Sequence, residues 1–167
     1  MSDAESIVEL IPRLRRYARA LAGERAAADD LVQDTLERAW SKLHLYRRGT
    51  DLRAWLFTVM HNVHVNQLRA ARPGVPLDED MPELALPARE NEALVLRDLD
   101  AAIRRLPLNQ REVLLLVALE DMSYDEAART LEIPVGTVMS RLARAREKLR
   151  AMLSGLPPGD KQLKVVK

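Results

Sequence analysis

Cysteine is absent from the 167 residues, which removes disulfides and thiolate metal sites and fits a reducing cytosol. No apolar run approaches the ~20 residues that span a bilayer. The acidic start, MSDAESIVEL, has no signal-peptide n-region. A soluble, cytoplasmic protein without membrane insertion is expected. Aromatic residues are scarce, at 4%, while Ala, Leu and Arg abound, a balance that favours helix. Charge of one sign is lacking too. The 26 basic and 25 acidic residues leave a formal net charge of +1, so the distribution of charge, not its sum, must point to partners. Hydrophobic content of 47% supplies a real core and argues against global disorder.

Enzyme signatures are missing as well. There is no Gly-rich phosphate loop, no GxSxG elbow, and no carboxylate pair that stands out from ordinary acidic helix faces. His61 and His64 stand at i, i+3, a spacing two metal ligands could share, but no third ligand lies nearby and there is no HExxH. The chain is therefore read as neither an enzyme nor a cofactor or metal protein.

What is present centres on Ser123 to Arg150, SYDEAARTLEIPVGTVMSRLARAREKLR. Ser123 with Glu126 has capping-box spacing, and Tyr124, Ala127, Ala128 and Leu131 recur at helical period. Pro134 cannot continue that helix but suits the first turn of the next. The second helix carries Val138, Leu142, Ala145 and Leu149 on one stripe. Ser140, Arg141, Arg144 and Lys148 fall off it. Two short helices and a tight turn form a helix-turn-helix whose second helix suits a DNA major groove. Glu132 stands where many such units have Gly, so a differently built turn is expected. The competing reading is a surface hairpin with a solvated basic face.

Upstream, residues 4–22 form an amphipathic helix through Ile7, Leu10, Ile11, Leu14, Tyr17, Ala18 and Leu21, ended by Gly23. Arg13, Arg15, Arg16 and Arg19 lie off the stripe, as a solvated face or a polyanion contact. Residues 26–46 form a second helix with Val32, Leu36, Ala39, Trp40 and Leu43 buried. Its acidic start suits the helix dipole, and beside an exposed Leu31 it equally suits a protein docking surface. A loop follows at 46–50. Thr50 or Asp51 caps a third helix from about Leu52 to Ala70, with Leu52, Trp55, Leu56, Val59 and Val63 as core. Its later turns are polar and suited to bases and phosphates.

Four prolines break residues 72–89, which read as a linker. Helix resumes from about Glu90 to Leu106. Asn109, with Glu112, then caps a helix whose apolar Val113–Leu119 run should be the centre of a second domain. The expected fold is all-α: two small helical domains joined by a flexible linker, the second containing the helix-turn-helix. The divisions are 1–71, linker 72–89, 90–154, and a frayed tail 155–167.

ADDLVQDTLERAW at 28–40, YRRGTDLRAWLFTVMHNVHVNQLR at 46–69 and LPLNQREVLLLVALEDMSYDEAARTLEIPVGTVMSRLARAREKL at 106–149 together resemble a bacterial RNA polymerase sigma factor. The group is the extracytoplasmic-function (ECF) type of the sigma-70 family, and some general-stress sigma factors have similar sequences. The resemblance spans about residues 4–153. It implies that the protein binds core RNA polymerase, directs it to promoters and opens the minus-ten region.

The resemblance also implies the sites. Asp29, Asp30, Leu31, Gln33, Asp34 and Glu37 would meet the β′ clamp helices. Arg47, Arg48, Gly49, Thr50 and Asp51 would capture a flipped base of the minus-ten element, whose flipping costs a few kcal/mol. Asn62, with His61, Asn66 and Arg69, would read that strand. Thr137, Met139, Ser140, Arg141 and Arg144 would face the minus-35 element. Met139 departs from the Arg or Lys common in relatives, and apolar contact with a thymine methyl is the substitute. The second domain would also touch the β flap, and an anti-sigma factor is the implied inhibitor. The alternative is a stand-alone helix-turn-helix regulator, although no separate dimerisation helix or ligand domain is seen.

Overall fold

The computed structural model describes residues 2–74 and 95–154. Among them are seven α-helices and no strand. The first is α1 (Asp3–Ala22), started by Ser2, whose Oγ accepts from the Glu5 N–H at 3.1 Å while Glu5 returns a bond to the Ser2 N–H. Such a box satisfies two N–H groups that no helix can satisfy internally. Gly23 ends α1 at φ +81°, where its N–H reaches the Arg19 carbonyl, a left-handed cap that glycine adopts without steric cost.

Helix α2 (Arg25–Ser41) is shorter than the sequence suggests, because a 3-10 turn at Leu43–Leu45 replaces its last turn. Two burial expectations on α2 are reversed. Leu31 is fully buried, whereas Trp40 is 48% exposed. The face that packs is Ala28, Leu31, Val32, Thr35 and Ala39, which is rotated from the expected stripe. Asp51 caps α3 (Leu52–Ala71) by accepting from the Ala54 N–H at 3.2 Å. Phe57 joins the α3 core and meets Tyr17 of α1 edge-on, at 4.9 Å between rings.

The linker and tail assignments at 75–89 and 155–167, and the start of the next helix at 90–94, lie outside the described residues. The chain is described again from α4 (Val95–Arg104), followed by α5 (Leu108–Leu114). Asn109 does not cap α5; the helix starts at Leu108 behind Pro107, without a side-chain cap. Pro107 fills that place with its own fixed φ, and its carbonyl accepts from the Gln110 and Arg111 N–H groups. Nor does the Val113–Leu119 run stay α-helical. Leu115–Leu119 form a π-helical turn, an insertion that re-aims the residues after it. Asp121, at φ +55°, then turns the chain sharply.

Helix α6 (Tyr124–Leu131) starts with the expected box between Ser123 and Glu126. It is joined to α7 (Val135–Ser154) by a turn in which Glu132 takes φ 58°, ψ 47°. The missing glycine therefore does not change the turn. Glu132 adopts the left-handed conformation, and its N–H and that of Ile133 still close the helix on Arg129 and Ala128. Ala128 and Val138, on the two helices, are both buried.

The buried apolar side chains form one continuous core from Ile7 to Ala145. Helices α1–α3 make one half and α4–α7 the other. They meet where α1 lies against α4 and α5, and where α3 lies against α6. Left-handed geometry at a residue with a Cβ is costly. Glu132→Gly should therefore stabilise the chain by about 0.5–1 kcal/mol after the entropy of the unfolded glycine is counted. Glu132→Val should destabilise it. Thermal melts of the two variants, moving in opposite directions, are the check.

Candidate functional site

The acidic face of α2 presents Asp29, Asp30, Gln33, Asp34 and Glu37 to solvent. Leu31 cannot join them, because its side chain faces the core. Gln67 of α3 donates to Asp34 Oδ2 at 2.6 Å. Together Asp34, Glu37, Arg38, Asn66 and Gln67, with Val63 and Ala70, line a shallow groove of about 530 Å³ along the α2–α3 seam. Polymerase-facing and strand-facing candidates thus meet at one seam.

The loop before α3 is ordered by its own hydrogen bonds. Tyr46 Oη donates to the Thr50 carbonyl at 2.7 Å, and Thr50 Oγ1 donates to the Arg47 carbonyl at 2.7 Å. The Tyr46 and Trp55 rings lie 5.4 Å apart. Gly49 has φ +93° with no atom within 4 Å of where a Cβ would stand, so the backbone angle is what requires glycine there. Arg47, Arg48, Thr50 and Asp51 are exposed, and Arg48 Nε lies 3.2 Å from Asp3 of α1.

Asn62, Asn66 and Arg69 project from α3 as exposed side chains. His61 does not. Its Nδ1 lies 2.7 Å from Glu112 Oε2 on α5. These residues, with Leu108, Asn109, Glu132, Ile133 and Arg141, line a groove of about 480 Å³ between the halves of the molecule. A second groove, of about 290 Å³, sets Thr50, Asp51 and Trp55 opposite Glu126, Arg129 and Thr130 of α6. On α7, Met139, Ser140 and Arg144 are exposed, while Thr137 and Arg141 are half-buried. Among the minus-35 candidates, Arg141 alone faces the first groove.

Sequence reasoning missed the polar contacts between the halves. Arg13 and Arg16 of α1, expected on an open face, lie 3.2 and 3.5 Å from the carboxylate of Glu120. Arg53 of α3 approaches it at 3.8 Å and donates to the Glu120 carbonyl at 2.6 Å. The Glu120 side chain is fully buried. Arg111, also buried, donates to the carbonyls of Leu21, Arg104 and Leu106. It thereby serves the C-terminal ends of α1 and α4, where cations are favoured. Tyr17 sits amid this charge. Burial first, then Glu112 and Glu120, push its hydroxyl well above the ordinary 10.0. The available signal was an acid, Glu120, closing the apolar run Val113–Leu119.

Two family models match the chain: the Sigma2 domain of PhyR over residues 7–61, and Sigma-70, region 4, over residues 96–149. The second contains the α6–α7 unit. A helical fold with this pair of matches defines the sigma-factor class. The chain is 37% identical to the ECF RNA polymerase sigma factor EcfG of Rhodopseudomonas palustris over 151 residues, covering 89% of this chain and 83% of that one. It is 32% identical to SigM of Mycobacterium tuberculosis over 149 residues, covering 88% and 74%. Its fold matches the sigma factor RpoE of Bartonella quintana, solved in complex with the anti-sigma factor NepR. That match has a TM-score of 0.72 and 32% identity, over 90% of this chain and 96% of that chain. The chain belongs to the ECF group of RNA polymerase sigma factors.

The two histidines of α3 titrate in opposite senses. Burial opposes charge on His61, but its hydrogen bond to Glu112 and that carboxylate's charge outweigh burial and raise it above 6.5. Burial lowers His64 below 6.5. A raised folded value stabilises fully below pH 6.5 and is lost as pH rises through that value. His61→Gln should therefore cost about 1.5 kcal/mol in the acid range. The cost should shrink as pH rises above 6.5 and through the raised value of His61. Melts of the pair across this range check the sign.

Proposed function

We propose that α1–α3 form a polymerase-binding and minus-ten-opening module and α4–α7 a minus-35-reading module of this sigma factor. The observation that carries the reading is the α6–Glu132–α7 unit. It presents Met139, Ser140 and Arg144 on the solvent side of α7, with Val138, Leu142 and Ala145 buried behind them. A helix held this way can lay exposed side chains against base edges while its packed face fixes their position. Arg144 offers a guanidinium fork to guanine or phosphate, and Met139 an apolar contact to a thymine methyl.

The N-terminal module would act on the strand. The Arg47–Asp51 loop is preshaped by Tyr46 and Thr50, and Asn62 and Asn66 offer amides one turn apart farther along α3. Capture of a base unstacked from the duplex converts sequence preference into opening without ATP. His61 would join the readers only after leaving Glu112. Asp29, Asp30, Gln33, Asp34 and Glu37 would bind the β′ clamp helices, leaving Leu31 as core. The chain is read as a cytoplasmic, non-enzymatic specificity subunit of polymerase. Its further partners would be promoter DNA, the β flap and an anti-sigma factor, the kind of protein bound to RpoE of Bartonella quintana. No described helix is long and apolar enough to cross a membrane.

Run-off transcription of sheared genomic DNA by purified core polymerase tests the function. Adding the chain should produce defined start sites that core alone lacks; tight, sequence-specific duplex binding without core would instead favour a stand-alone regulator. Asp30→Ala with Asp34→Ala should abolish core binding in a pull-down while changing stability by only about 0–1 kcal/mol, since both carboxylates are exposed. Normal core binding by that variant would remove α2 from the polymerase surface. Arg144→Ala should weaken start-site selection by about 1–3 kcal/mol. A change at one base pair marks a base contact, and a uniform loss marks phosphate.

A further inference from the structure

We propose that Met139 makes promoter reading responsive to two-electron oxidants. Its thioether, open to solvent on the DNA-facing side of α7, is converted to a sulfoxide. The sulfoxide weakens and redirects selection of the upstream element until a thiol-dependent reductase removes it. This rests on the minus-35 assignment of α7 above.

Sulfur is unevenly placed in this molecule. With no cysteine and six methionines, the thioether is the chain's one kind of sulfur. Met1 and Met81 lie outside the described residues. Met60 and Met122 are core residues at 0% and 3% exposure, and Met122 Sδ accepts from the Thr130 hydroxyl at 3.7 Å. Met152 packs, partly buried, against the same core. Met139 is 51% exposed. An oxidant dissolved in water reaches an exposed sulfur before a buried one, so among the described methionines Met139 reacts first.

The neighbours of Met139 leave it uncovered. Residues three and four apart are those that can shield one another on a helix. Here they are Val135, Gly136 and Ala143, all exposed, and Leu142, which is buried. A helical side chain lies over the turn before its own, and in that turn Gly136 has no side chain and nothing within 4 Å of where a Cβ would stand. Val135, Met139 and Ala143 thus make a small apolar surface beside Ser140 and Arg144, of the kind a thymine methyl meets in the major groove. One added oxygen changes its character. A sulfoxide is polar and chiral, and its oxygen is an acceptor. Acceptors match the amino groups of adenine and cytosine, not the methyl of thymine. Oxidation therefore weakens reading of a thymine and moves preference toward an amino-bearing edge.

The chemistry balances with hydrogen peroxide as the oxidant. The sulfur lone pair attacks one peroxide oxygen, the S–O bond forms as the O–O bond breaks, and the proton on the transferred oxygen passes to the departing hydroxide. Sulfur loses two electrons and the peroxide leaves as water. In the return step a dithiol supplies two electrons, becomes a disulfide, and the oxygen is released as water.

The test uses the full chain, wild type beside Met139→Leu, Met152→Leu and Met139→Gln. Each protein is treated alone with graded hydrogen peroxide, quenched with catalase, and only then mixed with untreated core polymerase. Each is compared with its own untreated sample, so a basal change caused by a substitution drops out. Peptide mass spectrometry should find the added oxygen on Met139 at doses that leave Met60 and Met122 unmodified. At that dose, run-off transcription by wild type and by Met152→Leu from a promoter selected by wild-type holoenzyme should fall about tenfold, the size of one mismatched base pair. Core binding in a pull-down should not change, and Met139→Leu should not respond. Methionine sulfoxide reductases A and B with dithiothreitol, used together because each takes one epimer, should restore the loss. Templates varied through the minus-35 element should place it at one base pair. Oxidised Met139 with undiminished selection, an equal loss in Met139→Leu, or Met60 and Met122 reacting as readily as Met139 would overturn the proposal. Untreated Met139→Gln carries a polar acceptor without any oxidant and should select as poorly as oxidised wild type. If it and Arg144→Ala both select every template as wild type does, α7 is not the reader, and the assignment beneath the proposal falls instead.

Discussion

A buried carboxylate cannot be left without positive charge, and among the described residues Glu120 obtains that charge from arginines across the boundary between the halves. Moving the side chain out of water is costly, and the arginines of α1 and α3 offset that cost by closing on it. Arg111 makes the complementary insertion. Its guanidinium satisfies backbone carbonyls at the ends of α1 and α4 that no helix can satisfy for itself. Charges of opposite sign therefore cross the same boundary, one onto arginines and the other onto carbonyls. The position of α4–α7 on α1–α3 follows from these two side chains, together with the apolar contacts around Tyr17 and Leu106.

Such a boundary differs from the interior of either half. Within α1–α3, contacts are apolar and interlocked: Leu14, Leu21, Leu31, Leu56 and Met60 are almost wholly excluded from solvent. At the boundary, ionised groups, a histidine–carboxylate pair and two grooves share the surface with the apolar side chains. Interfaces of this mixed kind are the ones that separate without unfolding their partners. Water can solvate Glu120, Arg13, Arg16 and His61 when the halves part. A boundary made only of leucine would have offered the separated state nothing in return.

The sequence carries the local structure well, because local structure depends on neighbours a few residues away. The boxes at Ser2–Glu5 and Ser123–Glu126, the Asp51 cap and the Gly23 stop each follow from one or two side chains and backbone sterics. The helix-turn-helix is equally readable, because its turn tolerates Glu132 in a left-handed conformation. Errors arise where a distant partner decides. Leu31 and Trp40 fall on the wrong sides of α2 because small shifts of helix phase re-sort which of two apolar residues faces a neighbour. Glu112 looks like half of a cap for α5, but His61, 51 residues away, claims it. Arg13 and Arg16 look solvated because nothing in α1 reveals that a carboxylate 104 or more residues later will fold over them. For the site, the sequence names side chains; which of them are open to DNA or polymerase depends on how the two halves sit together.

The absence of cysteine makes the docked arrangement directly measurable. Spin labels on Ala26→Cys of α2 and Ala143→Cys of α7, both at exposed positions, report the separation of the halves by pulsed dipolar spectroscopy. The docked arrangement predicts one narrow distance distribution in the free protein and, for modules that work apart on promoter DNA, a clearly longer distance once core polymerase is bound. A broad distribution in the free chain, or the same short distance in the polymerase complex, would contradict it.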